Sequence, residues 1–99
     1  MVERHPVESP SRTVPRPFEF HWGKGMVVEE ASTETRYNEP TIQLLEYEDG
    51  ALSVRFCYYR GPRFGRGVLM MDQESLSEMR EALAETPRLR ELMRQMVGD

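Results

Sequence analysis

Hydrophobic and polar residues alternate along the middle of the chain, as in β-strands whose successive side chains point to opposite faces. The clearest strand covers 51–60, where the even positions from 52 to 58 are apolar and the odd positions are Ser53, Arg55, Cys57 and Tyr59. A second strand is predicted over 41–48. The Asp49-Gly50 pair between them is typical of a tight hairpin turn, so the two strands are expected to be antiparallel neighbours.

Two further segments with strand-like spacing flank this hairpin. Residues 18–30 form one bent strand or two short ones, because Gly23-Lys24-Gly25 interrupts their alternation of aromatic and polar residues. On the other side, Gly61-Pro62 turns the chain and 64–71 is predicted as the last strand, with two internal glycines that indicate a bulge or a close backbone approach. The sequence therefore predicts a four-stranded antiparallel β-meander.

The hydrophobic spacing changes from two to about 3.6 residues at Asp72, which predicts a helix from 73 to about 85. Thr86-Pro87 ends this helix and begins another, since proline fits the first turn of a helix. One face of the second helix is apolar and consists of Leu89, Leu92, Met93 and Met96. The predicted fold class is α+β: a four-stranded antiparallel β-meander followed by a C-terminal helix that is broken near Thr86-Pro87.

Composition divides the chain into a tail and one domain. Residues 1–17 contain four prolines with serine, glutamate and arginine between them, which cannot bury a core, so we expect a disordered N-terminal tail. Residues 18–99 form the single domain. About eighty residues bury only about 60–65% of their unfolded surface, so stability should be modest. We therefore expect a homodimer in which the apolar face of the second helix is buried, against the partner or against its own sheet.

No familiar catalytic or metal-binding arrangement is found in the sequence. One cysteine and two distant histidines, His5 and His21, provide neither a disulfide nor a zinc ligand set. The glycines after position 60 are not followed by the lysine and hydroxyl residue of a phosphate-binding loop. We expect a binding module rather than an enzyme, with no cofactor. Since no long apolar run or signal peptide is found, we also expect a cytoplasmic protein that does not enter the membrane.

Charge is distributed unevenly along the chain, whose net charge is −4. Residues 26–50 hold seven acids and one arginine, whereas 51–71 hold no acid and four arginines, namely Arg55, Arg60, Arg63 and Arg66. Tyr59 and Phe64 lie in the same segment. Proteins that bind single strands combine cations for phosphates with flat rings on which bases stack. We therefore predict sequence-independent binding of single-stranded DNA or RNA by these six residues.

A different interpretation of the same residues stays open. Aromatic residues are ordinary strand formers, and the arginines could pair with Glu46, Glu48 or acids of the helix. The chain would then be a protein-interaction module that uses the apolar face of its last helix for binding or dimerisation. The direction of the arginines separates the two hypotheses: one continuous exposed patch favours nucleic acid, and burial in acid pairs favours protein interaction.

From about Thr41 to Leu92, the sequence resembles the positive-cofactor-four family of transcriptional coactivators and its bacterial relatives. Residues 42–49 are similar to that family's second strand, and 51–60, with Tyr58-Tyr59, to its aromatic-rich strand. The run Arg63-Phe64-Gly65-Arg66, followed by 68–72, is similar to its basic, glycine-containing strand that leads into a capped helix.

This resemblance implies a dimer with four antiparallel strands and a long helix, which binds single-stranded DNA on its sheet and acts in transcription. By type and position, Tyr59, Arg63 and Arg66 match ligand-contacting residues of the family, and Lys24 matches a basic residue of its first strand. The sequence differs at Phe56, where the family has an arginine, and at Leu76, where it has a tryptophan.

Overall fold

The computed structural model describes residues 12–98, which form a curled antiparallel sheet of six strands followed by two helices. The first four strands are consecutive neighbours: β1 Arg16–Phe20, β2 Gly23–Ser32, β3 Glu39–Tyr47 and β4 Leu52–Arg60. Two short strands both pair with β4, namely β5 Arg63–Phe64 and β6 Leu69–Asp72. A 3-10 turn, Gln73–Ser75, leads to the helices α1 Leu76–Ala84 and α2 Pro87–Val97.

The predicted α+β class is confirmed, but the number of strands is six rather than four. Residues 18–30 contain parts of two strands, because the chain turns at 21–22 and β1 pairs with β2. The predicted last strand over 64–71 is also two strands. Phe64 pairs with Tyr59 and Leu69 with Phe56. The segment from 64 to 69 is therefore two residues longer than the segment of β4 that it faces. The two extra residues leave the ladder, as in a bulge.

The N-terminal boundary lies earlier than Phe18, where the sequence predicts the domain to begin. Of the predicted tail, residues 1–11 lie outside the described residues. Strand β1 starts at Arg16, and the side chains of Arg12 and Arg16 are only 16% and 15% exposed. These two arginines therefore belong to the packed domain.

Gly25 allows the first three strands to curl closely together. It lies opposite Phe18 of β1 and Tyr47 of β3, and the two rings meet edge to face with centroids 5.3 Å apart. A Cβ atom at position 25 would overlap the carbonyl oxygen of Glu46. Phe18 forms the buried core together with Val27 and Leu45. Phe20, Tyr47 and Met70 pack against this core.

The two faces of the sheet differ in burial. The odd positions of β4 from Ser53 to Tyr59 are buried, and we call their side of the sheet the inner face. Thr41, Gln43 and Leu45 of β3 are buried on the same side. The apolar even positions of β4 are only half buried, and their side is the outer face. The more polar side of this strand has thus turned inward.

The C-terminal helices do not complete the core. Neither α1 nor α2 has a buried residue, and α1 packs mainly against α2 and the preceding 3-10 turn. Among residues 12–98, no helix is both long and apolar enough to cross a membrane. The predicted break between the helices at Thr86-Pro87 is confirmed, with Pro87 as the first residue of α2.

Replacing Gly25 with alanine is expected to lower the free energy of unfolding by about 1–3 kcal/mol, the usual cost of forcing atoms into a filled space. Urea denaturation followed by circular dichroism measures this change. Gly67→Ala is the matched control, since a Cβ there meets nothing within 4 Å. It should stay within about 0.5 kcal/mol of the parent protein. Equal stability of the two variants would contradict the close approach of β2 and β3.

Candidate functional site

Arg55 and Tyr59, two of the predicted nucleic-acid contacts, lie on the inner face and are each only 7% exposed. This corrects the expectation that they occupy an open sheet surface. Their burial has a physical reason: each finds polar partners on neighbouring strands, so burying it does not leave an unpaired polar group. Neither is in a position to meet a nucleic acid directly in this conformation.

The other residues of the basic segment form an exposed surface at one end of the sheet. Arg60 and Arg63 are directly opposite each other across the β4–β5 turn, and Arg66 follows in the next loop. All three are exposed, and Phe64 is 44% exposed. Because side chains alternate along a strand, Phe64 lies on the inner side with its partner Tyr59, whereas Arg60 and Arg63 lie on the outer side of the same turn. We call these four residues the hairpin surface.

Lys24 lies at the opposite end of the sheet. Its neighbour Gly25 pairs with Tyr47, which is the last residue of β3. The first residue of β3, Glu39, pairs with Tyr59 beside the hairpin surface. Eight residues of strand span about 26 Å. The Lys24 ammonium is 3.9 Å from a carboxylate oxygen of Glu48. Lys24 is therefore not part of the hairpin surface.

The side-chain amide of Gln43 organises the buried polar residues. Its oxygen accepts a hydrogen bond from Nε of Arg55 at 2.6 Å. Its nitrogen donates to Glu30 at 2.8 Å and to the hydroxyl of Tyr59 at 3.2 Å. Since Gln43 lies opposite Arg55 in the β3–β4 register, the hairpin itself brings these two side chains together.

Two arginines near the N-terminus complete this network. Arg16 donates to both carboxylate oxygens of Glu30, at 3.2 and 3.0 Å, and Arg12 donates to both of Glu39, at 2.9 and 3.2 Å. The Arg12 guanidinium also stacks on Tyr59, 3.9 Å from the ring centroid. Sequence reasoning missed these four charged residues. Only the pairing of Gln43 with Arg55 could have been inferred, from the hairpin register.

The network supports the exposed ring of Phe64. The ring of Tyr59 meets Phe64 edge to face with centroids 5.3 Å apart, and the Arg55 guanidinium lies 5.1 Å from the Phe64 centroid. Tyr59 and Arg55 are themselves fixed by Gln43. The buried residues thus position an aromatic side chain within the hairpin surface.

Burial and hydrogen bonding shift the pKa of the Glu30 carboxylate in opposite directions. Burial alone would raise its pKa, but hydrogen bonds from Arg16 and Gln43, with the charges of Arg16 and Arg12, outweigh burial and hold the pKa below its ordinary value. Burial raises the pKa of the buried Cys57 thiol, and this effect outweighs the charge of the neighbouring Arg55, which lowers it.

No protein-family model, curated protein sequence or solved structure matches this chain. The resemblance of 41–92 to the positive-cofactor-four family stays a prediction. An antiparallel sheet followed by a helix serves many unrelated functions, so the fold alone indicates none of them.

Glu30→Gln is expected to lower the free energy of unfolding by about 1–3 kcal/mol at neutral pH, because Arg16 and Gln43 lose a charged acceptor. Because the pKa of Glu30 is lower in the folded protein than in the unfolded chain, its carboxylate stabilises the fold fully at pH values above the ordinary glutamate pKa of about 4.3. This stabilisation is lost as the pH falls through the pKa of Glu30 in the folded protein. Denaturation at several pH values should therefore show the two proteins converging in acid. Glu29→Gln, at the neighbouring exposed position, is the control. A difference that is constant with pH would contradict the paired state of Glu30.

Proposed function

We propose that this protein binds single-stranded nucleic acid at the hairpin surface. The observation that carries the proposal is that Arg60, Arg63 and Arg66 are all exposed, while none of them forms an ion pair within the described part of the chain. Arg12 and Arg16, in contrast, are held by carboxylates. Three guanidinium groups without an ion pair among residues 12–98, at the turn that also carries the exposed ring of Phe64, form a surface suited to a polyanion.

The chemistry of these side chains fits phosphates and bases together. A guanidinium group donates two parallel hydrogen bonds to a phosphate and keeps its charge at any physiological pH. Arg60 and Arg63 are directly cross-strand from each other, so they can approach neighbouring phosphates of one strand. The exposed ring of Phe64 provides a face for one base, a contact worth about 1–3 kcal/mol.

Arg55 and Tyr59 have a positioning role in this proposal. Both are buried and both contact the ring of Phe64, so they hold it rather than contact the ligand. Phosphate contact and ring stacking do not read base edges, so binding is independent of sequence. A role of this kind agrees with the transcription-associated function that the family resemblance implies.

Arg63→Ala and Phe64→Ala are expected to weaken binding in different ways. Losing one phosphate contact should flatten the log–log dependence of affinity on salt by about 0.7. Losing the ring should lower affinity by about fivefold to a hundredfold and leave that slope unchanged. Fluorescence anisotropy of a labelled single strand at several salt concentrations measures both quantities.

Arg88→Ala, on the exposed surface of α2, is the charge-matched control and should change neither quantity. If the parent protein shows no salt-dependent binding to single strands at low ionic strength, the nucleic-acid proposal is wrong.

The C-terminal helices favour a second function, protein interaction through a homodimer. Leu89, Leu92 and Met96 are 49%, 61% and 55% exposed, and Met93 is half buried. We call these four residues the helix face. Monomeric proteins rarely leave a large continuous apolar surface in water. The outer face of the sheet is also apolar and half exposed, whereas the helices mainly contact each other and the 3-10 turn. Association of two copies would remove such surfaces from water.

A charge in the helix face is expected to prevent this association. Leu92→Glu should convert a dimer to a monomer in sedimentation at micromolar concentrations, because a buried unpaired carboxylate is costly. Arg90→Glu, at an exposed position two residues away, should leave the dimer intact. A parent protein that sediments as a monomer at high micromolar concentration would contradict the homodimer and leave the helix face as a site for a different protein.

A further inference from the structure

A cleft of about 680 Å³ opens at the end of the sheet opposite the hairpin surface. The turn between β1 and β2, the β3–β4 hairpin, strand β6 and the 3-10 turn surround it. Its volume is within the range of small-ligand sites, about 300–1,000 Å³. We call it the acidic cleft, for the side chains at its rim.

Aromatic rings form one wall of the acidic cleft. Trp22 stacks on Phe20, with centroids 4.9 Å apart and planes inclined by 20°, and lies 6.1 Å from Tyr47. Although Phe20 supports it, Trp22 is 58% exposed. An exposed indole that a neighbouring ring holds in place is the strongest aromatic partner for a cation.

Carboxylates dominate the rim of the acidic cleft. Glu48, Asp49, Asp72 and Glu74 line it together with one cation, Lys24. The four acids are exposed, and the single ion pair among these residues is the 3.9 Å contact between Lys24 and Glu48. Asp72 also accepts a hydrogen bond from the hydroxyl of Ser75 at 2.7 Å, which leaves its other lone pairs free. The rim therefore carries an excess of negative charge.

Ser53 lies at the floor of the acidic cleft. It is only 5% exposed and pairs in register with Asp72, and its side chain forms no hydrogen bond to any residue within 12–98. Its hydroxyl opens onto the cleft, where it can donate to or accept from a ligand that reaches the floor.

We propose that the acidic cleft binds an arginine side chain of a basic peptide. The flat guanidinium group fits the aromatic wall of Trp22 and Tyr47, while its N–H groups donate to the rim carboxylates. One of these N–H groups also satisfies the hydroxyl of Ser53. The site lies outside the hairpin surface and does not depend on nucleic-acid binding.

Trp22 is the only tryptophan of the chain, so its fluorescence reports directly on the cleft. Titration of the full-length protein with acetyl-triarginine amide is expected to give a saturable change in emission that weakens as salt is added. Acetyl-triglutamate amide should give no such change. The absence of a saturable change at millimolar triarginine would overturn the proposal.

Variants of the rim separate specific binding from general attraction. Asp72→Asn and Glu74→Gln are each expected to lower the affinity for triarginine about tenfold, since each removes a charge-assisted hydrogen bond. Glu78→Gln changes the net charge equally but lies on α1, outside the lining of the cleft, and should bind like the parent protein. Equal weakening by all three variants would show that only the overall charge attracts the peptide, which also overturns the proposal.

Dilution of the protein without peptide identifies the source of the arginine. If the Trp22 emission of the parent protein changes on dilution and that of Arg63→Ala does not, the arginine comes from the hairpin surface of a second copy. Emission that is independent of protein concentration, together with saturable triarginine binding, indicates a separate peptide. Each of these two results supports the acidic cleft as an arginine site, and neither depends on the outcome of the nucleic-acid titration.

Discussion

The amide of Gln43 is the contact on which the inner face of the sheet depends. It is 1% exposed and joins Arg55, Glu30 and Tyr59 through hydrogen bonds of 2.6, 2.8 and 3.2 Å. A buried charge is tolerated only where partners replace the water it has lost. Without this amide, Arg55 would lose its 2.6 Å hydrogen bond to Gln43. Tyr59 and Arg55 would then no longer be fixed beneath Phe64, and the ring would lose its place in the hairpin surface.

Because the inner face is polar, apolar side chains are left half exposed on the outer face of the sheet. Because side chains alternate along a strand, turning Arg55 and Tyr59 inward turns the apolar residues of β4 outward. The C-terminal helices have no buried residue of their own, and α1 packs mainly against α2 and the 3-10 turn rather than against the sheet. The helix face and the outer face are therefore both available for association. A small chain with a polar network in place of part of its core gains most from a partner that covers these surfaces.

The two ends of the sheet differ in chemistry. The hairpin surface holds three arginines that form no ion pair among residues 12–98, and the acidic cleft holds four carboxylates with Lys24. The length of β3 between them, about 26 Å, is several times the screening length of about 8 Å at physiological salt. The charges at one end therefore have little effect on the electrostatic potential at the other. This separation reconciles a net charge of −4 with a surface suited to a polyanion.

The sequence by itself determined the local elements. Alternation over 41–48 and 51–60 predicted β3 and β4. Asp49-Gly50 predicted the turn between them, where Gly50 has a φ of 93°. Thr86-Pro87 predicted the break between the two helices. These features depend on neighbouring residues alone. Only the tertiary structure decided which face of β4 is buried, because periodicity separates two faces without ranking them. Arg12, Arg16 and Glu30, which are distant in sequence from β4, make the polar face the inner one by supplying charges and hydrogen bonds. The split of 64–71 and the distance of Lys24 from the arginines likewise follow from strand register, which no local pattern contains.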